Sequence, residues 1–360
     1  MLLDKLTLII PTYNSPEFLK RTLSYFDSFG LKLNILVADS SRPENKDKNV
    51  QIIASLKYLK VKHLNNFDSE ISPYLKWYQA MLKVKTKYCM LCADDDFISI
   101  NSLVKALNLL EENPSYSAVE GKELYFVKPP ILGITTFHWK HGDVWTSFEQ
   151  EDAAKRFENL ARGYQPILYA VYRTNFLQYI FRQAYENNSL EYPFGEFLPS
   201  FLTVVTGKVK RLDCFFTARD KTIDFQREEP QVNLIQQYKE EGSFTERYNN
   251  FKKPLVRDLA QISNLSLVEA EKIVDKHMNM FFGKQQSKKF IVFMKGIVRK
   301  NWWYYFFAKA YILGKWLNFD IRRMYHLRKL LKENHDFNRI KWFIRHYPIK
   351  CPPKSEKFIK

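Results

Sequence analysis

Short apolar runs alternate with amphipathic stretches through the first 130 residues, and this alternation restricts the fold of the 360-residue chain more than any other feature. The runs that predict strands are residues 6–10, 34–38, 58–63, 88–93 and 118–126. The stretches that predict helices are residues 16–26, 71–84 and 102–110. Strands that alternate with helices form a mainly parallel sheet with helices on both faces, so the predicted fold class is α/β.

Polar clusters follow three of the predicted strands. They are Thr12-Tyr13-Asn14, Asp39-Ser40-Ser41 and Asp94-Asp95-Asp96. In open α/β sheets, ligands bind beyond the carboxyl ends of the strands. We therefore expect the three clusters to meet at one edge of the sheet and to form the functional site there.

The Asp triplet suggests a cation. Three carboxylates after a buried strand repel one another unless a positive charge offsets them, and hard divalent cations prefer carboxylate and phosphate oxygens. Asp94 and Asp96 flank one residue, so one carboxylate could reach a metal while the other takes a sugar hydroxyl. Such a metal would hold a diphosphate and neutralise it as a leaving group. The competing interpretation is an acidic turn that caps the next helix.

Together, the motifs Ile9-Ile10-Pro11-Thr12-Tyr13-Asn14, Val37-Ala38-Asp39-Ser40-Ser41 and Ala93-Asp94-Asp95-Asp96 give the chain its resemblance to family 2 glycosyltransferases. The resemblance covers roughly residues 6–130 and continues more weakly to about residue 220. It implies a GT-A fold, a nucleotide-diphospho-sugar donor, an inverting reaction and Mn²⁺ or Mg²⁺ as cofactor.

The resemblance also implies roles for single residues. Pro11, Thr12 and Tyr13 would line the nucleobase pocket, and Asp39 would meet the base or the ribose. Within the triplet, Asp94 would bind the ribose, Asp95 would belong to the same donor site, and Asp96 would bind the metal. The family usually has Gly at the position of Ser40, and Lys76 lies near the position of a motif that is missing here. Lys76 could face a phosphate, but a solvated lysine is the competing interpretation.

An inverting transferase needs a general base for the acceptor hydroxyl. Family members place an Asp or Glu at a helix start about a hundred residues beyond the D-x-D motif. Glu196 matches this description by position and context, and we predict that it is the catalytic base. Glu191 and Asp220 are the alternatives, and a carboxylate that only complements the helix dipole is the competing explanation for Glu196.

The last 77 residues differ in charge from the rest of the chain. Residues 284–360 contain 20 Lys or Arg and 4 Asp or Glu, a net charge of +16, whereas residues 1–283 carry +1. Aromatic residues at 302–307 lie among these charges. We therefore divide the chain into a GT-A-like domain at residues 1–235 and a helical, basic and aromatic region at residues 236–360. The latter is expected to contact an anionic membrane surface or the acceptor.

These observations predict an enzyme that moves a sugar to a glycan or lipid-linked acceptor in surface polysaccharide synthesis. We expect it to be cytoplasmic and peripheral on the inner face of the cell membrane, because no run is long enough to span a bilayer. Nucleic acid is not expected as a partner, since no helix-turn-helix, zinc finger or RNA-binding sheet is recognisable. The alternative function is a non-catalytic adaptor with the same fold that binds an anionic membrane or nucleic acid.

Overall fold

A computed structural model of the chain describes residues 2–127, 135–139, 146–221, 234–299 and 334–347. From residue 284 to residue 299 only the backbone is described. The aromatic residues 302–307 and most of the basic side chains of the C-terminal region therefore lie outside the described residues. Within the described part of the chain, every helix is too short or too polar to cross a membrane.

Nine strands form one sheet in the described residues, in the order β3-β2-β1-β4-β8-β6-β9-β5, with β7 added beside β6. The strands are β1 (Leu6–Thr12), β2 (Asn34–Asp39), β3 (Lys60–Leu64), β4 (Tyr88–Leu91), β5 (Phe97–Ile98), β6 (Tyr116–Val127), β7 (Thr136–Trp139), β8 (Val171–Arg173) and β9 (Lys208–Asp220).

The sheet is parallel in its first half and mixed in its second. β1 is parallel to β2 and to β4, and β2 is parallel to β3. β6 and β9 are also parallel, but β8, β7 and β5 join their neighbours antiparallel. The prediction of an α/β sheet is confirmed, and its mainly parallel character is limited to the segment where helices connect successive strands. Parallel neighbours need such crossover connections. The very short strands β5 and β8 instead pair antiparallel with their neighbours.

The helices flank this sheet and dominate the chain after β9. They are α1 (Pro16–Asp27), α2 (Pro43–Ala54), α3 (Pro73–Met81), α4 (Ile100–Glu112), α5 (Ala153–Arg162), α6 (Thr174–Glu186), α7 (Phe194–Thr206), α8 (Leu234–Glu240), α9 (Phe244–Ser263), α10 (Leu267–Arg299) and α11 (His335–His346). A short 3₁₀ helix at Leu2–Lys5 precedes β1. In the described residues, the helical C-terminal region is therefore confirmed.

Two helices, α4 and α2, differ from the sequence-based expectation. Helix α4 begins after Ser99, two residues before the predicted range 102–110, because the Ser99 Oγ caps it by accepting a hydrogen bond from the backbone N–H of Ser102. Helix α2 was not predicted because most of its residues are polar, and Asn49 is its one fully buried residue.

Alternate residues of the central strands point to opposite faces of the sheet, and each face has its own apolar core. Ile9 and Leu36 belong to the core that also holds side chains of α3 and α5 to α10. Leu8 and Ile35 belong to the other core, which holds side chains of α1, α4 and α11. Helices from the C-terminal region therefore pack on both faces of the sheet.

Candidate active site

The ends of β1, β2 and β4 bring the three polar clusters together, as predicted. Thr12 and Asp39 are paired in register at the ends of β1 and β2. Across the other side of β1, the Thr12 Oγ1 donates a hydrogen bond of 2.6 Å to Asp94 Oδ2. The Asn14 backbone N–H donates to Ser41 Oγ at 2.8 Å. The clusters thus form one connected edge, with Thr12 at its centre.

Lys76 of α3 lies beneath this edge and is 5% exposed. Its Nζ donates to the Thr12 carbonyl at 2.9 Å and to Ser40 Oγ at 2.8 Å. Burial lowers the pKa of Lys76 to about 8, although the nearby carboxylates of Asp94 and Asp39 favour its charged form. Lys76 is therefore not a solvated surface lysine. It joins the strand ends, and Ser40, at the position where the family usually has Gly, supplies one of its acceptors.

Asp39 is completely buried. Its Oδ1 accepts from the backbone N–H of Ser41 at 2.8 Å, and its Oδ2 is 2.9 Å from Asn49 Nδ2 and 3.0 Å from His63 Nε2. Burial opposes ionisation, but the hydrogen bonds from His63, Ser41 and Asn49 prevail and lower the pKa of Asp39 to about 2. These internal partners hold both carboxylate oxygens of Asp39 in place, and its contact with the base or the ribose stays a prediction.

The three aspartates of the triplet have different environments. Asp94 and Asp95 are half-buried, whereas Asp96 is 2% exposed. The Asp96 Oδ2 accepts from Arg219 Nε at 3.0 Å, and its Oδ1 accepts from the backbone N–H of Asp220 at 3.2 Å. Both oxygens of the predicted metal ligand Asp96 are therefore already used by β9, and the more accessible carboxylates are those of Asp94 and Asp95.

Helix α1 holds the backbone of the triplet in place. The Thr22 hydroxyl donates to the Asp94 carbonyl at 2.7 Å, and Arg21 Nη2 donates to the Asp95 carbonyl at 2.8 Å. Arg21 is buried and also donates to Asp220 Oδ2 at 3.0 Å. Since α1 directly follows the Thr12 cluster, the first two strand ends and the triplet form one rigid unit.

The triplet carries negative charge that its neighbours only partly offset. Burial raises the pKa of Asp94 to about 6, against the hydrogen bond from Thr12 and the charge of Lys76. Burial and the adjacent carboxylates of Asp96 and Asp94 raise the pKa of Asp95 well above its usual range. A bound cation would relieve this repulsion, since an opposite charge favours the ionised carboxylate.

The residues of this edge fit a divalent cation in a particular way. Among the described residues, no three His, Cys, Asp or Glu side chains form a group that could hold a metal ion by themselves. Mg²⁺ in nucleotide-dependent enzymes is commonly bound by one or two carboxylates together with substrate phosphates. Asp95 and Asp94 match that smaller donor set, whereas Asp96 is paired with Arg219.

Pro11 and Tyr13 are half-buried at the end of β1 and close to the same edge. The chain turns sharply after Tyr13, because Asn14 has a left-handed backbone with φ of 50°. The Asn14 side chain stabilises this turn by accepting from the backbone N–H of Arg42 at 2.9 Å. Tyr13 is therefore presented on a fixed turn, while Thr12 is buried in the strand-end network.

Glu196 lies in the first turn of α7 and is half-buried. The Tyr164 hydroxyl donates to Glu196 Oε1 at 3.2 Å. Gly195 makes this position possible, because a Cβ there would lie 2.9 Å from both the Tyr74 ring and the Leu190 carbonyl. The start of α7 therefore packs directly on α3.

Tyrosine side chains lie beside both Glu196 and the ion-pair partner of the triplet. Burial raises the pKa of Tyr74 above its usual value, and the charge of Glu196 and the neighbouring Tyr169 add to this effect. The Arg219 guanidinium lies 4.3 Å from the centre of the Tyr169 ring. Because Arg219 is the partner of Asp96, the Tyr169 ring borders the ion pair of the triplet.

The two alternative bases are less suitable. Glu191 is exposed and forms an ion pair with Arg247. The Asp220 side chain is 6% exposed and is paired with Arg21. Glu196 is the candidate whose surroundings are mainly aromatic hydroxyls. Sequence reasoning missed Arg21, Tyr74, Tyr164 and Tyr169, since no motif marks them and their roles depend on contacts between distant segments.

Comparison with known proteins gives a family match over part of the chain. The family described as Glycosyl transferase family 2 matches residues 7–178. Among curated proteins, none is significantly similar to the chain in sequence.

Similar solved structures include three forms of a Staphylococcus enzyme. S. aureus TarS 1-349 in complex with UDP-GlcNAc has 15% identity and a TM-score of 0.46, over 77% of this chain and 72% of that one. Its complex with UDP has 15% identity and a TM-score of 0.44 over the same shares. TarS 1-349 without a named ligand has 13% identity and a TM-score of 0.42, over 78% of this chain and 91% of that one.

Proposed function

We propose that this chain is a family 2 glycosyltransferase with a GT-A-type sheet, since the family described as Glycosyl transferase family 2 matches residues 7–178, and from that premise we propose a specific reaction. The enzyme transfers a sugar from a nucleotide-diphospho-sugar to a hydroxyl of a glycan or lipid-linked acceptor, with inversion and with a divalent metal. The proposal rests on the family and on the side chains that surround the strand ends.

The donor would lie along the edge formed by β1, β2 and β4. Pro11 and Tyr13 offer half-buried apolar surface on a fixed turn, which suits the face of a nucleobase. The Asp94 carboxylate, fixed by the Thr12 hydroxyl, can accept hydrogen bonds from ribose hydroxyls. Lys76 would support this pocket from below rather than contact the nucleotide, because it is buried.

The cofactor, Mn²⁺ or Mg²⁺, would be held by Asp95 together with the donor diphosphate, with Asp94 close by. When bound, it supplies positive charge to the leaving diphosphate. The chain supplies further positive charge close to the triplet through Arg219, which is 17% exposed in its side chain. Preorganised charges of this kind stabilise the negative charge that develops as the bond to the sugar breaks.

Glu196 would act as the general base. As the acceptor oxygen forms a bond to the anomeric carbon, the bond from that carbon to the diphosphate breaks, and the acceptor proton moves to a carboxylate oxygen of Glu196. The hydrogen bond from Tyr164 to Oε1 orients this carboxylate. Attack on the side opposite to the leaving group inverts the anomeric configuration, as proposed from the family.

We assign the acceptor by chemical class only. The proposed acceptor is a glycan or a lipid-linked glycan of a surface polysaccharide, and the enzyme would meet it at the cytoplasmic face of the membrane. The basic character of residues 284–360 supports this placement, since their net charge of +16 favours an anionic surface.

The observation that supports the proposal best is the connected edge at the ends of β1, β2 and β4, where Thr12 pairs in register with Asp39 and donates a hydrogen bond to Asp94. A thermal-shift screen of UDP, GDP, CDP and ADP, each with Mn²⁺ or Mg²⁺, tests the donor half. Stabilisation by one nucleotide that disappears with EDTA is expected. The matching nucleotide-sugar should then be hydrolysed slowly in the absence of acceptor, and no response to any nucleotide would refute the proposal.

A further inference from the structure

The C-terminal helix α11 reaches the segment that follows the Asp triplet. Asp336, in its first turn, is 2% exposed, although its charge would ordinarily favour solvent. Its Oδ2 accepts from Ser99 Oγ at 2.6 Å and from the backbone N–H of Asn101 at 3.0 Å. Asp336 therefore satisfies one of the free N–H groups at the start of α4, a helix that lies more than 230 residues earlier in the chain.

The segment held by Asp336 leads directly to the donor site. Ser99 is three residues beyond Asp96 and donates its backbone N–H to the Phe216 carbonyl at 2.8 Å. Between them, β5 pairs with β9, with Phe97 opposite Ala218 and Ile98 opposite Thr217. Asp96, which precedes Phe97, and Arg219, which follows Ala218 within β9, form an ion pair. This ion pair thus lies at one end of the β5–β9 pairing, and Asp336 fixes the other end.

Apolar contacts hold α11 in register for this bond. Phe337 packs edge-on against Phe215 at 5.7 Å, and Phe343 packs against Tyr25 at 5.8 Å. The Tyr25 hydroxyl in turn donates to the Ile98 carbonyl at 2.9 Å. Helix α11 therefore contacts β9 through Phe337 and reaches the Ile98 carbonyl of β5 through Tyr25 of α1, in addition to its hydrogen bonds to Ser99 and Asn101.

We propose that Asp336 is a positioning residue of the donor site, and that α11 is a buttress which keeps the Asp triplet and Arg219 in their binding geometry. This inference rests on the proposed function, because it assumes that the triplet binds a nucleotide. Its consequence is that the basic C-terminal region is connected at its far end to the catalytic half, and is not a separable tail.

Two substitutions at one position isolate the hydrogen bonds. Both bonds end on the same oxygen of Asp336, so Asp336→Asn retains an acceptor for them, whereas Asp336→Ala removes it. Both variants lose the negative charge in the first turn of α11, so that effect cancels between them. Asn338→Ala, at an exposed position of the same helix, is the matched control. The full chain is used throughout, because deletion of α11 would expose the apolar side chains it covers.

Hydrogen–deuterium exchange and nucleotide affinity are measured for each variant. Asp336→Ala is expected to speed exchange selectively at residues 96–98 and 218–220, and to weaken the binding of UDP, GDP, CDP or ADP with Mn²⁺ about tenfold, since lost hydrogen bonds to a charged group have this order of effect. Asp336→Asn and Asn338→Ala should stay within about twofold of wild type, as near-neutral changes do.

The outcomes separate this inference from the proposed function. Faster exchange throughout β1 to β4 would show that Asp336 supports the fold as a whole, and unchanged exchange at residues 96–98 would show that it positions nothing there. Either result overturns the inference, as does unaltered nucleotide affinity in Asp336→Ala. If the wild-type protein binds none of the nucleotides, the proposed function fails, and selective exchange at residues 96–98 and 218–220 alone then decides whether Asp336 holds this segment.

Discussion

Arg219 Nε donates to Asp96 Oδ2 at 3.0 Å, and this pair divides the Asp triplet into two kinds of carboxylate. Asp96 has a buried cation of the chain itself as its partner. Asp95 is more accessible, and its pKa is raised well above the usual range by burial and by its acidic neighbours. A carboxylate paired with a buried arginine thus stands beside a more accessible one, and substitution of each should have a different effect.

Asp95→Asn is expected to abolish the metal-dependent part of nucleotide binding while it makes the metal-free protein more stable. Because the folded-state pKa of Asp95 is raised, its ionisation opposes folding near neutral pH, and a neutral amide removes that penalty. Urea unfolding without metal should show an increased midpoint. Isothermal titration with nucleotide and Mn²⁺ should show affinity equal to that measured in EDTA. Retained metal enhancement would exclude Asp95 as the ligand.

Asp96→Asn should behave in the opposite way. It leaves the Arg219 guanidinium with the more distant carboxylate of Glu123 at 3.8 Å, and removal of one member of a buried pair costs about 3 kcal/mol or more. The free energy of unfolding should therefore fall. If Asp96→Asn were as stable as wild type and lost only metal binding, Asp96 would be the metal ligand predicted from the sequence.

Glu196→Gln should lower kcat about a hundredfold or more, because loss of a general base removes a contribution of about 10² to 10⁴. Nucleotide affinity should remain unchanged, since Tyr164 holds the Glu196 carboxylate at the start of α7, outside the strand-end edge proposed to bind the donor. The measurement is kcat with saturating donor and acceptor, beside the nucleotide Kd. Glu191→Gln is the control, and it should keep full activity. Equal losses of kcat and nucleotide affinity would assign Glu196 to the donor site instead.

The sequence was sufficient to predict the strands that carry the site. The apolar runs of β1, β2 and β4 are short and unbroken, and a turn or acidic cluster follows each one, so the edge at which Thr12, Asp39 and Asp94 meet could be predicted. The start of α7 and the position of Glu196 could also be predicted, because the family resemblance extends that far. These features depend on residues that are close together in the sequence.

The different burial and different partners of the carboxylates could not be predicted. The buried Asp39 has His63 and Asn49 as hydrogen-bond partners, and these come from two other elements. The buried Asp96 has Arg219 of β9 as its partner, 123 residues away. A single sequence does not reveal such pairings. The same holds for Lys76, because lysine is ordinarily a surface residue but this one lies buried under Thr12 and Ser40. Long-range hydrogen bonds decided these positions, and local pattern did not.

Asp39 should contribute stability that depends on pH. Its pKa in the folded protein is about 2, below the value of about 3.9 for an unfolded chain, so its ionised form favours folding. This contribution is complete above pH 4 and is lost as pH falls through 4 toward 2. At pH 7, Asp39→Asn should lower the free energy of unfolding by about 2 kcal/mol.

The measurement is urea unfolding of the wild-type protein and of Asp39→Asn at several pH values between about 2.5 and 7. This range includes most of the roughly two-unit interval between the folded and unfolded pKa of Asp39. The difference between them should shrink in the acidic part of this range. Asp68→Asn is a suitable control, since that exposed side chain accepts a bond only from the neighbouring Glu70 backbone N–H. A difference that stays constant down to the lowest pH would mean that the Asp39 charge does not stabilise the fold.

The basic C-terminal region should attach the protein reversibly to an anionic membrane. Residues 284–360 carry a net charge of +16 and the aromatic cluster 302–307, and both kinds of residue favour the interfacial layer of a bilayer. Binding should weaken as salt rises, because surface charges are screened over about 8 to 10 Å near physiological ionic strength. Co-sedimentation with vesicles of increasing phosphatidylserine content, at low and high salt, measures this.

The variant for this test must spare α11, since Asp336 and Phe337 of that helix pack against the catalytic half. Truncation at residue 284 would confuse loss of membrane contact with loss of this packing. Substitution of Lys288, Lys289 and Lys295 by Gln removes positive charge at positions of α10 and leaves the sequence of α11 unchanged. This variant should bind anionic vesicles more weakly than wild type and should keep its nucleotide affinity. Equal binding of the wild-type protein to neutral and anionic vesicles would refute the membrane prediction and leave acceptor binding as the role of the basic region.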